Sequence, residues 1–318
     1  MMDLNIVLTD CNTVSSGDLD LSALEKFGNV TYYGESTPEQ IPERIKDADV
    51  VILNKTVLGE NELKHAKRLK LIALFATGYN NIDVAYARKM GISVANAGSY
   101  STSAVAQQVF GFILANATKI SEYDRDVKDG AWIRSRLFCF FSRPASELQG
   151  KTLGIFGYGA IGRRVAEIAR AFEMRVIATT RTPKQDDIAT FVDFDTLLGQ
   201  SDYLSVNCPL NDGTKELFGA EAFARMKKGA YFINTARGGV ICEQALFDAL
   251  ESGHLSGAAI DVLTKEPMQE DCILKNAKNI TITPHIAWAP LETRERLLGI
   301  VMDNIEGFFG GTPKNIVN

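Results

Sequence analysis

The chain has 318 residues, more than one hydrophobic core usually supports, so its length predicts two domains. Hydrophobic residues make up 46% and charged residues 23% of the sequence, which excludes a disordered, collagen-like or coiled-coil protein. The 34 Lys and Arg against 39 Asp and Glu give a net charge of −5, with no basic block, so we expect no nucleic acid partner. A globular enzyme or binding protein with two consecutive halves is the simplest expectation.

The N-terminal sequence and the cysteines predict a cytoplasmic location. The sequence begins MMDLNIVLTD, with Asp3 where a signal peptide would carry positive charge, so no leader is predicted. The five cysteines are far apart and form no CxxC pair. We therefore predict reduced thiols, with neither a disulfide framework nor a metal site.

An uncharged stretch from Met90 to Thr118 raises the question of a membrane span. Polar side chains interrupt it, and their burial in lipid would be costly. A buried helix over about 101–120 is the better prediction, and no membrane partner is expected. The interrupting residues are Asn96, Ser99, Ser101, Thr102, Ser103, Gln107, Gln108 and Asn116.

Short apolar runs alternate with amphipathic stretches along the whole chain. This rhythm predicts an α/β fold with parallel sheets and helices on both faces. In the first series the predicted strands are 4–8, 49–54, 69–75 and 92–96, and the helices are 22–27, 38–48 and 60–68. A second series begins at Lys151 with strands at 152–156, 175–180, 203–207, 230–235, 257–261 and 279–283, and a last helix is predicted at 290–309.

A glycine-rich loop follows the strand TLGIF and opens a helix. Gly157, Gly159 and Gly162 form GxGxxG, in which the first glycine makes a tight turn and the second admits a pyrophosphate. The third glycine lets helix and strand pack closely, and the helix N-terminus supplies amides to the phosphates. Because strand, loop and helix are in register, a dinucleotide site is favoured over a structural turn.

The end of the next strand bears on the choice of dinucleotide. An acidic residue there would bind the adenosine ribose hydroxyls of NAD, but the sequence has Thr180 and Arg181, with no acid before Asp186. A hydroxyl beside a guanidinium suits a 2′-phosphate, so NADP(H) is favoured and NAD(H) is possible. The alternative is that Arg181 is a surface residue and NAD binds without its acid.

Three polar residues follow strands of the second series. Arg237 lies in TARGG, Glu266 in DVLTKEP and His285 in TPHIAW. Arginine can bind a 2-oxo acid through its carboxylate, and histidine can donate a proton to the carbonyl, with the glutamate stabilising the imidazolium. The alternatives are a core histidine and a structural ion pair between Arg237 and Glu266. The other histidines, His65 and His254, are predicted on the surface.

With these residues, the sequence resembles the D-isomer-specific 2-hydroxyacid dehydrogenases over nearly its whole length. The resemblance implies that Arg237 binds the substrate, Glu266 tunes His285 and His285 exchanges the proton. The motifs that carry it are ATGYNNID (76–83), YSTSAVAQ (100–107), TLGIFGYGAIGRR (152–164), NCPLN (207–211), NTARGGVI (234–241), AAIDVLTKEP (258–267) and TPHIAW (283–288).

The resemblance also implies binding roles for residues in these motifs. Lys55, Thr77 and Gly78 would contact the substrate, with the Gly78 loop offering amides to its carboxylate. The Cys208-Pro209 turn would line the nicotinamide ribose, and Asp261 would contact the nicotinamide amide. The remaining implied cofactor contacts are Ala160, Ile161, Thr235 and Ala236.

The family architecture implies a split first domain. Residues 1–99 with 286–318 would form a flavodoxin-like substrate-binding domain and 100–285 an NAD(P)-binding Rossmann domain. Both would be doubly wound, with catalysis in a cleft between them. A homodimer is implied, with the long helix after Tyr100 and the segment 138–140 as candidate contacts.

The segments NKT (54–56), FCF (138–140) and PHIAWAP (284–290) are most similar to the glycerate dehydrogenase, or hydroxypyruvate reductase, branch of the family. The implied activity is NAD(P)H-dependent reduction of hydroxypyruvate or glyoxylate to the D-2-hydroxy acid. The alternatives are an enzyme of 3-phosphoglycerate or a branched 2-oxo acid, or a dinucleotide-sensing interaction protein. Two departures are Thr180 in place of an acid and the loop MQEDCILKN after the EP pair.

Overall fold

The computed structural model describes residues 3–182 and 186–318. The contacts divide the chain into two compact units. One unit contains the chain up to Ser101 together with Ala289–Asn318, and the other is Thr102–Trp288. The second unit is therefore inserted between two parts of the first, unlike the consecutive halves that length alone suggests.

Strands and helices alternate along both units. The described elements are β1 Leu4–Leu8, β2 Gly28–Tyr32, α1 Ile41–Ile45, β3 Val50–Leu53, α2 Glu60–Leu63, β4 Leu71–Leu74, α3 Val84–Lys89, β5 Ser93–Ala95, α4 Thr102–Thr118, α5 Ile120–Lys128, β6 Thr152–Phe156, α6 Ala160–Ala171, β7 Arg175–Thr179, β8 Thr190–Phe191, α7 Phe194–Gln200, β9 Tyr203–Val206, α8 Ala220–Arg225, β10 Tyr231–Asn234, α9 Glu243–Glu251, β11 Gly257–Ile260, β12 Ile280–Ile282 and α10 Leu291–Phe309.

The first unit contains a five-stranded sheet with the order β2-β1-β3-β4-β5, and each pair of neighbours is parallel. This is the flavodoxin-like order. All four residues of β3 and all four of β4 are buried, as expected for parallel strands that are covered on both faces.

The second unit contains a seven-stranded parallel sheet with the order β12-β11-β10-β9-β6-β7-β8. Its first six strands in chain order have the doubly wound dinucleotide-binding arrangement, and the order reverses between β6 and β9. Along β10, Phe232 packs into one hydrophobic cluster while Tyr231 and Ile233 pack into another, so both faces are covered. The prediction of two parallel-sheet α/β domains is confirmed.

An irregular segment, which we call the apolar arm (residues 131–143), follows α5. It is tied to α5, because Arg143 Nη2 lies 3.2 Å from Asp126 Oδ1 and Tyr123 donates to the Arg143 carbonyl at 2.7 Å. Nevertheless, Phe138 and Phe141 are 90% and 89% exposed.

Helix α10 follows the inserted unit in the sequence and bonds to residues of the first unit that precede it. Arg294 forms a bidentate ion pair with Asp18, with Nη2 to Oδ2 at 2.6 Å. The buried Asn304 donates to the Asn96 carbonyl at 2.8 Å. Across residues 3–182 and 186–318, no helix is long and apolar enough to cross a membrane.

Candidate active site

The three polar residues of the second series lie at one edge of the seven-stranded sheet. Arg237 follows β10, Glu266 follows β11 and His285 follows β12, and these strands are neighbours. Because the strands are parallel, their carboxyl ends meet at the same edge, where open α/β sheets bind ligands.

His285 and Glu266 form a hydrogen-bonded pair. The Nδ1 atom of His285 lies 2.7 Å from Oε2 of Glu266, and the other carboxylate oxygen accepts the amide of Leu263 at 3.0 Å. The carboxylate favours a proton on Nδ1, which leaves Nε2 as the nitrogen that can exchange a proton with a ligand. The two side chains are 25% and 36% exposed, so solvent or a ligand can reach the pair.

Asp261 fixes the loop that carries His285. Its buried carboxylate accepts the Thr283 hydroxyl at 2.5 Å and the amides of Ile286 and Ala287 at 2.9 and 2.8 Å. His285 itself has φ = 56°, a left-handed conformation that is uncommon for a residue with a side chain. The bonds on both sides of His285 hold the backbone in this conformation and so determine the direction of the imidazole.

Arg237 lies on a turn built by Asn234. The Asn234 side chain is fully buried at the end of β10, where it donates to the Arg237 carbonyl at 3.0 Å and accepts the Ala236 amide at 3.0 Å. The exposed Arg237 guanidinium donates to the Ala236 carbonyl at 2.7 Å. The turn thus presents a guanidinium on the same edge of the sheet as His285.

The glycine loop has the geometry predicted from its sequence. Gly157 has φ = 93°, and a Cβ there would lie 2.8 Å from the Asn207 carbonyl carbon. A Cβ on Gly162 would lie 2.3 Å from the Gly157 oxygen, so only glycine lets α6 start this close to β6. Nothing lies within 4 Å of a Cβ on Gly159, which caps α6 and leaves open space at the helix N-terminus. Ala160 and Ile161 form the first turn of α6.

Two buried polar atoms at the carboxyl edge of the seven-stranded sheet have no partner in the described structure. They are Oδ1 of Asn207, after β9, and Oγ1 of Thr235, after β10. A buried polar atom without a hydrogen bond is costly and often marks a ligand position. Together with the open N-terminus of α6, these atoms fit a bound dinucleotide.

The end of β7 places Thr180 half-buried and Arg181 exposed. The Asp186 side chain contacts the glycine loop and the helix after it. Its carboxylate accepts the Tyr158 hydroxyl at 3.1 Å and pairs with Arg163 Nε at 3.2 Å. The hydrogen bond from the Ile188 amide, supported by Tyr158 and Arg163, holds the pKa of Asp186 below its usual value. Asp186, the first acid after Thr180 in the sequence, is therefore already engaged.

The remaining predicted cofactor contacts lie at the same edge of the sheet. Cys208 is buried, and burial raises the pKa of its thiol to about 11, while Pro209 beside it is exposed. Ala236 is held by Asn234, as described above. Within the described residues, no three His, Cys, Asp or Glu side chains form a group that could hold a metal ion.

The predicted substrate residues of the first unit follow β3 and β4. Lys55 is exposed, and its amide donates to Asp10 at 2.6 Å. Thr77 hydrogen bonds through its hydroxyl to the Gly98 carbonyl, and the Asn96 side chain donates to the Thr77 carbonyl at 2.8 Å. Gly78 is half-buried.

Sequence reasoning missed three residues that shape these loops. Asn234 ends β10, Asn207 directly follows β9 and Asp10 follows β1 by two residues. The available signal was a short polar residue at the carboxyl end of an apolar run, a position where side chains bind neighbouring loop amides.

Comparison with known proteins identifies the family. Residues 110–287 match the family "D-isomer specific 2-hydroxyacid dehydrogenase, NAD binding domain". The chain is 38% identical to a hydroxypyruvate reductase of Blautia hydrogenotrophica over 99% of this chain and 100% of that one. It is 41% identical to a glycerate dehydrogenase of Methylorubrum extorquens, covering 90% of each chain.

A solved structure shares the fold over the same length. The TT0316 protein from Thermus thermophilus superimposes with a TM-score of 0.89 at 33% identity, covering 99% of this chain and 100% of that chain. The chain therefore belongs to the D-isomer-specific 2-hydroxyacid dehydrogenases, enzymes with an NAD-binding domain.

Proposed function

We propose that this protein reduces a short 2-oxo acid, hydroxypyruvate or glyoxylate, to the D-2-hydroxy acid with NADPH or NADH. The observation that carries the proposal is the His285–Glu266 pair at 2.7 Å on a loop fixed by Asp261. The names of the two relatives described above support hydroxypyruvate as the substrate.

Arg237, His285 and Glu266 would each have a separate role in the reaction. The Arg237 guanidinium binds the carboxylate of the 2-oxo acid and polarises its carbonyl, since a planar fork suits a carboxylate. A nicotinamide cofactor, when bound, would supply the hydride. His285 donates a proton from Nε2 to the carbonyl oxygen, and Glu266 stabilises the imidazolium and orients the ring.

The dinucleotide would lie on the glycine loop. Amides at the N-terminus of α6 would bind the pyrophosphate, and the unpartnered Asn207 Oδ1 and Thr235 Oγ1 would gain hydrogen bonds. Thr180 and Arg181 support NADPH over NADH, because Asp186 is engaged by Tyr158 and Arg163.

The assignment of substrate binding to 1–99 with 286–318, and of cofactor binding to 100–285, is part of the proposal. Lys55, Thr77 and Gly78 would contact the substrate, and Cys208, Pro209, Ala236 and Asp261 the nicotinamide half of the cofactor. A cytoplasmic location stays a prediction.

The protein would act as a homodimer joined through the apolar arm. Phe138, Phe141 and Ile133 expose large apolar surfaces although the arm is tied to α5. Such a patch is typical of a protein interface. Arg134 lies within the arm and Asp129 lies just before it, and their opposite charges suit contact between two identical surfaces related by a two-fold axis.

The absorbance of NADPH and NADH in the presence of hydroxypyruvate, glyoxylate and pyruvate tests the proposed reaction. We expect oxidation of the cofactor with hydroxypyruvate or glyoxylate, and product of the D configuration. No turnover with either cofactor across these acids would refute the proposed function.

A further inference from the structure

The segment that carries Lys55 is held by a buried carboxylate. Asp10 follows β1, and its side chain accepts three successive amides of the turn after β3, which we call the NKT segment (residues 54–56). Oδ1 accepts the Asn54 amide at 2.9 Å, while Oδ2 accepts the amides of Lys55 at 2.6 Å and Thr56 at 2.8 Å. The charge strengthens these bonds, because a carboxylate is a stronger acceptor than a neutral oxygen.

The carbonyl side of the same segment is held from the loop after β4. The Asn81 side-chain amide donates to the Thr56 carbonyl at 2.7 Å and to the Asn54 carbonyl at 3.4 Å. The Asn81 carbonyl in turn accepts the Leu58 amide at 2.9 Å. Asn81 ends the motif ATGYNN, which begins with the loop that contains Thr77 and Gly78.

The three amides of the NKT segment and the carbonyls of Asn54 and Thr56 are thus satisfied within the first unit. Its amides are occupied by Asp10, so they are not available to an anionic ligand. The segment can therefore bind a ligand through the side chain of Lys55. The backbone of Lys55 is fixed relative to the ATGYNN loop.

We infer that Asp10 and Asn81 are positioning residues that set the affinity for the 2-oxo acid by fixing the Lys55 segment against the ATGYNN loop. The inference rests on the proposed function. Neither residue touches the reacting atoms. Both act on substrate binding through the backbone that carries Lys55.

Asp49 offers a matched control at the opposite end of the same sheet. It is a buried carboxylate like Asp10, and it accepts the Asn5 amide at 3.0 Å and pairs with Arg68 at 3.1 Å. It lies just before β3, whereas the NKT segment follows β3. Asp49→Asn removes a buried charge from the first unit without touching the NKT segment.

The test compares Asp10→Asn, Asn81→Ala and Asp49→Asn in the full-length enzyme. An asparagine at position 10 has the size of aspartate but cannot accept all three amides, because one terminal atom is itself a donor. We expect KM for hydroxypyruvate to rise about tenfold or more in Asp10→Asn and Asn81→Ala. KM for the cofactor and kcat should stay within about twofold, since a loss of substrate binding alone raises KM.

Asp49→Asn should lower Tm and leave KM for hydroxypyruvate unchanged. The inference is overturned if the wild type is active and both Asp10→Asn and Asn81→Ala keep the wild-type KM, or if Asp49→Asn raises KM equally. If Asp10→Asn does not fold, the KM of Asn81→Ala for hydroxypyruvate tests the inference by itself. A wild type that reduces none of the short 2-oxo acids refutes the proposed function. An active wild type whose variants keep its KM refutes the positioning inference alone.

Discussion

Gly238 lies directly against the peptide bond between Leu263 and Thr264. A Cβ on Gly238 would be 1.9 Å from the Leu263 carbonyl carbon, a distance at which no side chain fits. Gly238 follows Arg237, and the Leu263 amide donates to Glu266, so this approach joins the two loops that carry the proposed catalytic residues. The spacing between the loops that carry Arg237 and Glu266 therefore depends on the absence of a side chain at Gly238.

Gly238→Ala should separate these loops. We expect it to destabilise the protein by about 1–3 kcal/mol, since the new methyl group meets backbone and not a mobile side chain. It should also lower kcat/KM for the 2-oxo acid by at least about tenfold. Gly239→Ala is the control, because the atoms nearest to its Cβ would belong to the Leu210 side chain, the first at 3.0 Å. Equal stability and activity of the two variants would show that the contact does not position the loops.

His285→Ala should lower kcat by about 10²–10⁴-fold while the dissociation constant of the cofactor stays within about twofold. Glu266→Gln keeps the size of the side chain but not its charge, so we expect a smaller loss of kcat. Steady-state kinetics and cofactor titration measure both. His65→Ala, at an exposed position, should behave as the wild type. Wild-type turnover of His285→Ala would remove His285 from the proton transfer.

Thr180→Asp should shift the cofactor preference toward NADH. A carboxylate at this strand end repels a 2′-phosphate and accepts the ribose hydroxyls. We expect the ratio of kcat/KM for NADPH to that for NADH to fall at least about tenfold, which corresponds to about 1.4 kcal/mol. Thr182→Asp adds the same charge two residues further along as a control. An unchanged ratio in Thr180→Asp would contradict a 2′-phosphate site at Thr180.

The Cys208 thiol should contribute to the loss of stability at alkaline pH. Burial raises its pKa to about 11 in the folded protein, above its value in the unfolded chain. As the pH rises between these two values, the unfolded chain loses the proton first and the free energy of unfolding falls. Urea unfolding at about pH 8 and about pH 10.5 should show a smaller fall for Cys208→Ala than for the wild type.

The matched control for this measurement is Cys139→Ala, whose thiol lies in the apolar arm. It should show the same alkaline fall as the wild type. An equal fall in Cys208→Ala would mean that other groups cause the alkaline destabilisation.

Phe138→Ser with Phe141→Ser should dissociate the proposed dimer. These side chains are almost fully exposed in the single chain, so polar replacements cost little folding stability. Sedimentation velocity should show a dimer for the wild type and a monomer for the double variant. Val57→Ser, another exposed apolar position, should remain a dimer. A wild type that sediments as a monomer would refute the dimer.

The sequence predicted strands best where the strand is buried on both faces. Each of the ten predicted strands lies within its apolar run, because a covered parallel strand has no polar face to interrupt it. Two of the four edge strands, β2 and β8, were missed. Along β2, Asn29, Thr31 and Tyr32 are exposed, and β8 has only two residues, so neither presents an apolar run.

Helices were predicted less well than strands. The predicted helix 60–68 is helical only over Glu60–Leu63, and 22–27 forms a 3-10 helix. These short segments depend on packing rather than on their intrinsic propensity. The longer helices α4 and α10 were located to within two residues, since their apolar patterns extend over several turns.

The sequence predicted candidate catalytic side chains but not the residues that support their loops. Arg237, Glu266 and His285 were predicted because charged or titratable side chains after buried strands are seldom explained by packing alone. Asn234 and Asp10 act on backbone groups, and the partners of such residues are set by the tertiary fold. The apolar runs place these residues at strand ends but do not show which backbone groups they bind.

The insertion of the second unit into the first has a consequence for biosynthesis. Thr102–Trp288 is continuous in sequence, so it can fold as soon as it has been made. The first unit must wait for α10, since the bidentate pair between Asp18 and Arg294 joins residues 276 positions apart. Until then, the surface of the first unit that α10 covers stays open. On the growing chain we expect the inserted unit to fold first and the unit that begins the sequence to finish last.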